Sequence, residues 1–286
     1  MGVKISIKNG YVIAERKKNN LNSIDHKFPK ISVGATQNIL MAASLASGKS
    51  TLKNCAIEPE VIDLINFLNK CGALIKVKNR TITVRGVEEL KLQDYKVIPD
   101  RIEAGSYILA TMATKGRLKL NNFNPKDLAL PLKLYKGMGL KIKKLSNSSY
   151  EIYCKKLKPI KKISTKEFPG YPTDLQAQLI ATQLKSGLKS KVVENIFENR
   201  FIHIPELRRF GANLSIKGKT VTIDKTSNLL GAEVMATDIR ASFSLIIAAM
   251  MSKGKTVINR IYHLDRGYED FDLKLKKCGV NISRKK

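Results

Sequence analysis

With 286 residues and 43% hydrophobic side chains, the chain can bury one or two sizeable cores, which excludes a disordered polymer. Its formal charge of +28 suggests a polyanion partner, but only 12 of the 52 basic residues are arginine and the lysines are scattered without interleaved aromatics, which argues against nucleic acid. The longest wholly apolar run, Leu245 to Met251, is too short to cross a bilayer, and no basic-then-apolar leader opens the chain; we expect a cytoplasmic protein without a membrane partner.

A five-residue signature, x-Gly-x-x-Ile or Leu, recurs along the chain at Gly2, Gly72, Gly139, Gly211 and Gly279, in steps of 70, 67, 72 and 68 residues. The first signature opens a hairpin, Val3 to Ile13, whose apolar residues alternate around Asn9-Gly10, a pair suited to positive φ. An Ala-rich helix is predicted over Ala35 to Ala46 with Gly48 as its stop, followed by a strand over Ser50 to Lys53. A second helix runs from Glu58 to Leu68, with Pro59 at its first position and an apolar stripe of Val61, Leu64, Ile65 and Leu68; Gly72 closes it.

The same order then repeats. Hairpins are predicted at Leu74 to Val84, Lys141 to Tyr153 and Leu214 to Ile223, and Ala-rich helices at Ala104 to Ala113, Leu175 to Leu184 and Ala241 to Met251. Their stops are placed at Gly116, Gly187 and Gly254, and the last leads into a strand over Lys255 to Ile258. The implied fold class is α/β, built from tandem β-α-β-α-β-β modules far longer than solenoid repeats. Because the first signature falls at Met1, the chain is expected to open on the tail of one module and to continue through four complete ones.

Cys55, Cys71, Cys154 and Cys278 show no paired spacing and are expected to be reduced, buried thiols. His26, His203 and His263 are distant from each other and from the cysteines, so neither a metal site nor a cofactor is expected.

Modules built alike are informative where they differ. Lys30-Ile31-Ser32-Val33-Gly34-Ala35-Thr36 precedes a helix whose free N–H groups could bind an anion, although Ser32 could equally be a simple cap. A rigid turn from Phe168 to Pro172 delivers Thr173 and Asp174 to another helix start, where Asp174 is either a general base or a cap. The remaining segments are Phe197 to His203, Thr237 to Ser242 and Ile261 to Glu269. They hold Arg200, Arg240 and Arg266, and an arginine at a helix start opposes the dipole and is better explained as an anion fork.

Together with Asp100-Arg101-Ile102-Glu103, these segments resemble the UDP-N-acetylglucosamine 1-carboxyvinyltransferases, a family of enolpyruvyl transferases. The match runs in order from residue 1 to 286. The related enolpyruvylshikimate phosphate synthases share the repeat architecture but not these words.

The resemblance implies a two-domain inside-out α/β barrel of six repeats, four of them present here, with the site between domains. Residues 1–97 would be a remnant of the first domain and 98–286 a nearly complete second domain. UDP-N-acetylglucosamine would meet Lys30, Ile31, Ser32, Val33, Gly34, Thr173, Asp174, Ile196 and Phe197. Phosphoenolpyruvate would meet Arg200, Arg240 and Arg266, and Asp174 would take the proton of the attacking sugar hydroxyl. The reaction releases phosphate and is the first committed step of peptidoglycan synthesis.

Family members carry about two further repeats in front, with a general-acid loop whose cysteine or aspartate matches none of the four cysteines here. The chain alone is therefore expected to be inactive, with a separately encoded N-terminal fragment as a conceivable partner. Two other readings remain open at this stage: a non-catalytic UDP-sugar-binding remnant, and a basic RNA-binding protein on the related RNA terminal phosphate cyclase architecture.

Overall fold

The computed structural model describes residues 1–16 and 21–285, in two compact units, Met1–Ile98 and Pro99–Lys286. No helix among the described residues is long and apolar enough to cross a membrane.

The first unit opens with the expected hairpin, β1 (Val3–Lys8) and β2 (Tyr11–Arg16), paired from Val3↔Arg16 to Lys8↔Tyr11. Asn9 and Gly10 both take positive φ, the geometry of a type I′ turn. Then follow β3 (Leu21–Asn22), β4 (Asp25–Lys27), α1 (Val33–Ser44), β5 (Ala46–Ser47), β6 (Lys49–Lys53), α2 (Pro59–Lys70), β7 (Leu74–Lys78) and β8 (Thr81–Arg85). One sheet has the order β4-β6-β8-β7, with its first pair parallel and the others antiparallel. Leu40, Leu52, Val61, Ile65, Ile82 and Val84 fill the core beneath it.

The second unit holds α3 (Arg101–Ala113), β9 (Arg117–Leu120), α4 (Ala129–Gly137), β10 (Lys141–Lys144), β11 (Tyr150–Tyr153) and β12 (Lys162–Ser164). It continues with α5 (Gln176–Gln183), β13 (Ser190–Val193), α6 (Ile204–Arg209), β14 (Leu214–Lys217), β15 (Thr220–Ile223) and β16 (Glu233–Met235). Last come α7 (Ser242–Met251), β17 (Val257–Asn259), α8 (Tyr262–Asp265) and α9 (Phe271–Lys277). The sheet β12-β13-β15-β14 repeats the topology of the first unit's sheet. The module at 99–153 lacks a leading strand, and the last module has no closing hairpin among the described residues.

The Ala-rich segments are the helices that lie deepest. Every residue of α5 is buried, as are ten of the thirteen in α3 and seven of the ten in α7, and the three pack on one another. Strands of the second unit pack against this inner layer, β9 and β11 on α3 and β13 on α5.

The signature glycines close the second helix of each module. At Gly72 (φ 104°) the amide donates to the Asn69 carbonyl at 3.1 Å and Ala73 N donates to the Leu68 carbonyl at 2.9 Å, the paired bonds of a Schellman motif. Gly139 (φ 109°) and Gly279 (φ 88°) close α4 and α9 with the same two bonds. The other expected stops need correction. Gly48, Gly187 and Gly254 have positive φ but lie three or more residues beyond their helices, in the turns into the next strands. After α3 the left-handed residue is Lys115 (φ 55°), not Gly116, which supplies the outer amide of the motif. Cys278 is also a correction: unlike Cys55, Cys71 and Cys154 it is exposed. The segment after β8 covers Cys71, with Lys91 N donating to its carbonyl at 2.9 Å, and nothing equivalent follows α9 among the described residues.

Gly105 lets α3 approach the start of α5, since a Cβ there would lie 2.6 Å from Leu175 Cδ1. Gly105→Val is expected to lower stability by about 1–3 kcal/mol through overpacking, read as a lower denaturant midpoint at unchanged m. A midpoint equal to wild type would contradict this packing.

Candidate functional site

Three aspartates stand at the starts of the three inner helices, and they are used differently. Asp100 caps α3, its Oδ1 accepting from Ile102 N at 2.7 Å and Glu103 N at 3.1 Å. Asp238 does the same ahead of α7, accepting from Arg240 N at 2.8 Å and Ala241 N at 2.6 Å. Asp174 caps nothing. It lies in a 3-10 turn, Thr173–Leu175, whose start has no side-chain cap. Its Oδ1 instead accepts from Arg200 Nη2 at 2.5 Å, and its Oδ2 has no hydrogen bond among the described residues.

Arg200 is held by more than this ion pair. Its Nη1 donates to Thr173 Oγ1 at 2.6 Å, and its guanidinium lies 4.9 Å from the centre of the Phe197 ring, which is 56% exposed. Thr173 in turn donates to Glu194 Oε2 at 2.7 Å. Asp174, Thr173, Arg200, Ile196 and Phe197 thus come together around one buried carboxylate.

A second cluster gathers Arg240 and Arg266. Arg240 Nη2 bonds Asp100 Oδ2 at 2.9 Å, its Nη1 donates to the Gly267 carbonyl at 2.9 Å, and its guanidinium lies 5.2 Å from the centre of the Tyr268 ring. Burial opposes its charge, yet Asp100, Tyr268 and more distantly Asp174 outweigh burial and raise its pKa. Tyr268 is itself fixed. It stacks on Phe243 at 4.6 Å, and its hydroxyl shares a 2.8 Å bond with Ser106 and accepts from Gln178 Nε2 at 3.1 Å. Burial pushes that hydroxyl up to about 12, so it remains a neutral phenol.

Arg266 is exposed, and its side chain makes no hydrogen bond or ion pair among the described residues. It lies at the C-terminal end of α8, not at a helix start as expected, a position where its charge suits the dipole. Arg240, Arg266, Asp100 and Tyr268 line a cavity of about 800 Å³.

In the first unit, Ser32 caps α1 by accepting from Ala35 N at 3.3 Å. Lys30, Ser32 and Gly34 are exposed, Ile31 and Val33 half-buried, and no acidic residue occupies the first turn of α1.

The family of EPSP synthase (3-phosphoshikimate 1-carboxyvinyltransferase) matches residues 1–275. The UDP-N-acetylglucosamine 1-carboxyvinyltransferase of Pelagibacter ubique is 50% identical over 285 residues, covering 99% of this chain and 68% of that protein. The protein of the same name from Bartonella henselae is 45% identical over 288 residues, covering 99% of this chain and 66% of its own length. The chain belongs to the enolpyruvyl (carboxyvinyl) transferase family. It spans about two thirds of the length of these curated relatives.

Two solved structures carry the enolpyruvyl transferase fold. The enolpyruvyl transferase NikO from Streptomyces tendae superposes with a TM-score of 0.87 at 24% identity, over 99% of this chain and 69% of that one. EPSP synthase from Acinetobacter baumannii gives 0.72 at 16% identity, over 100% and 70%.

Sequence reasoning gave Glu194, Tyr268, Ser106 and Gln178 no part in this transferase site. Glu194 did leave a signal, as an acid directly after the apolar pair Val192-Val193.

His203 backs Arg200 from inside the fold and is fully buried. Burial, then the Arg200 charge, depress its pKa from 6.5 to about 3. The unfolded chain binds that proton and the folded chain does not, so stability should fall as pH drops from about 6.5 toward 3. His203→Leu should flatten this part of the melting temperature against pH curve; an unchanged slope would refute the assignment.

Proposed function

We propose that this chain takes part in transferring the enolpyruvyl group of phosphoenolpyruvate to the sugar hydroxyl of UDP-N-acetylglucosamine, with release of phosphate, the first committed step of peptidoglycan synthesis. The observation that carries the reading is the pairing of Arg240 and Arg266 on one cavity wall, with Arg240 within electrostatic reach of Asp174. Two cations suit a substrate with both a phosphate and a carboxylate, and they would stabilise the tetrahedral adduct formed on addition.

In this reading Asp174 Oδ2, free of other partners, takes the proton of the attacking hydroxyl as its oxygen bonds to the central carbon of phosphoenolpyruvate. The exposed Phe197 ring, Ile196 and Thr173 border the acceptor. In the first unit, Lys30 to Gly34 and the open amides of α1 would hold an anionic part of the UDP-sugar. Residues 1–97 then belong to the first domain of the family's two-domain fold and 98–286 to the second.

No cysteine here is assigned as the acid that protonates the methylene carbon. Cys55, Cys71 and Cys154 are buried, burial pushes the Cys55 thiol up to about 11, and Cys278 ends α9. Four free cysteines suit a reducing compartment, and we place the protein in the cytoplasm.

Arg266→Ala should weaken phosphoenolpyruvate binding about 10- to 100-fold by calorimetry, because a hydrogen bond to a charged group contributes about 1.5–3 kcal/mol. Where a separately supplied N-terminal fragment restores turnover, Asp174→Asn should cut phosphate release by about two to four orders of magnitude while phosphoenolpyruvate binding stays near wild type. Unchanged phosphoenolpyruvate affinity in the first variant, or near-normal turnover in the second, would overturn the assignment.

A further inference from the structure

Glu194 is 1% exposed, at the end of β13, and is surrounded by donors. Its Oε1 accepts from Thr165 Oγ1 at 2.9 Å, Ile196 N at 2.8 Å and Phe197 N at 3.1 Å, and its Oε2 accepts from Thr173 Oγ1 at 2.7 Å. Two of the four donors are amides of the Ile196-Phe197 turn, and a third leads through Thr173 to Arg200 and Asp174. A buried carboxylate is costly unless fully hydrogen-bonded, so its position fixes its donors as firmly as they fix it.

We infer that Glu194 is a positioning residue for the sugar-nucleotide side of this site. It sets the Ile196-Phe197 backbone and orients the Thr173 hydroxyl, and through them the Arg200 that holds Asp174. A neutral amide at this position would lose the charge that all four donors share, and its NH2 group would meet either the three donors on Oε1 or the Thr173 hydroxyl on Oε2. Thr165 links the same carboxylate to β12, since its own Oγ1 accepts from Asn195 N at 2.8 Å, so the node spans two strands and the turn into α5.

The inference rests on the proposed UDP-sugar reading and adds a selectivity to it. Glu194 belongs to the Asp174 cluster and has no bond to Arg240, Arg266 or Tyr268, reaching only Arg200 of the three arginines expected to meet phosphoenolpyruvate, so its loss should be felt more by the UDP-sugar than by phosphoenolpyruvate.

The test is titration calorimetry of the 286-residue chain with UDP-N-acetylglucosamine and, separately, with phosphoenolpyruvate. Glu194→Gln should weaken the UDP-sugar at least about tenfold, the scale of one lost charge-assisted bond, and weaken phosphoenolpyruvate clearly less. Thr165→Val, which removes one donor to the Glu194 carboxylate and touches no proposed ligand, should weaken the UDP-sugar in the same sense. The double variant should lose less than the product of the two single effects, because both act through one network.

UDP-sugar affinity unchanged in both single variants would overturn the inference and leave the proposed function standing. So would parallel weakening of both ligands with a lower melting temperature, the mark of a merely structural role; if Glu194→Gln does not fold, Thr165→Val decides by the same criteria. Absence of UDP-sugar binding by the wild-type chain would overturn the functional reading itself, and this inference with it.

Discussion

The second unit depends on burying three helices on all sides at once. All eight residues of α5 and most of α3 and α7 are buried, so these helices are enclosed by one another and by the strands packed on them. Close approach follows from this, and Gly105 against Leu175 marks its tightest point between α3 and the turn before α5. Polar residues along such helices bond to backbone carbonyls, as Thr111 and Thr182 do, or to one another. Ser106, Gln178 and Tyr268 do so in one small network, while polar groups free to act are displaced to the helix starts.

The helix starts are where near-equivalent modules diverge. Asp100 and Asp238 spend one oxygen on amides of their helices, and Asp100 gives its other oxygen to Arg240. Asp174 has been released from that duty because a 3-10 turn following Pro172 brings the chain into α5 without a side-chain cap. Repetition thus supplies the frame in which one carboxylate stands out. Its partner Arg200 is kept in place by Thr173 and Phe197, so Asp174 can be exposed on one side and still have a defined position.

Much of this frame was legible in the sequence for a local reason. A Schellman motif is made within a few residues and demands positive φ at one of them, so Gly72, Gly139 and Gly279 mark the module ends directly. Hairpins are equally local, and all four appear where alternation placed them. The helix stops failed because the glycine rule does not distinguish a cap from a turn several residues later, as Gly48 and Gly254 illustrate. In the site, scarce arginines at junctions were visible, whereas their anchors were not. Asp100 meets Arg240 across 140 positions and Ser106 meets Tyr268 across 162, contacts that no local pattern encodes. Glu194 escaped notice because its importance lies in four donors drawn from separate segments.

Arg240 and Arg266 differ in a way that bears on how anions would be handled. Arg240 is fixed by a carboxylate, a carbonyl and an aromatic face, so its charge meets a ligand in one geometry with little further ordering. Arg266 is exposed and uncommitted, and any bond it forms must also order its side chain. Among the acids lining the same cavity, Asp265 and Asp272 are engaged by Arg284 at 2.8 Å and 3.0 Å, and Glu103 by Lys274 at 2.8 Å. A fixed cation can register the position of charge as it develops, while a mobile one can follow a group that enters and departs. Under the proposed transfer, Arg240 would supply a steady field during addition and Arg266 a contact that can let go as phosphate leaves.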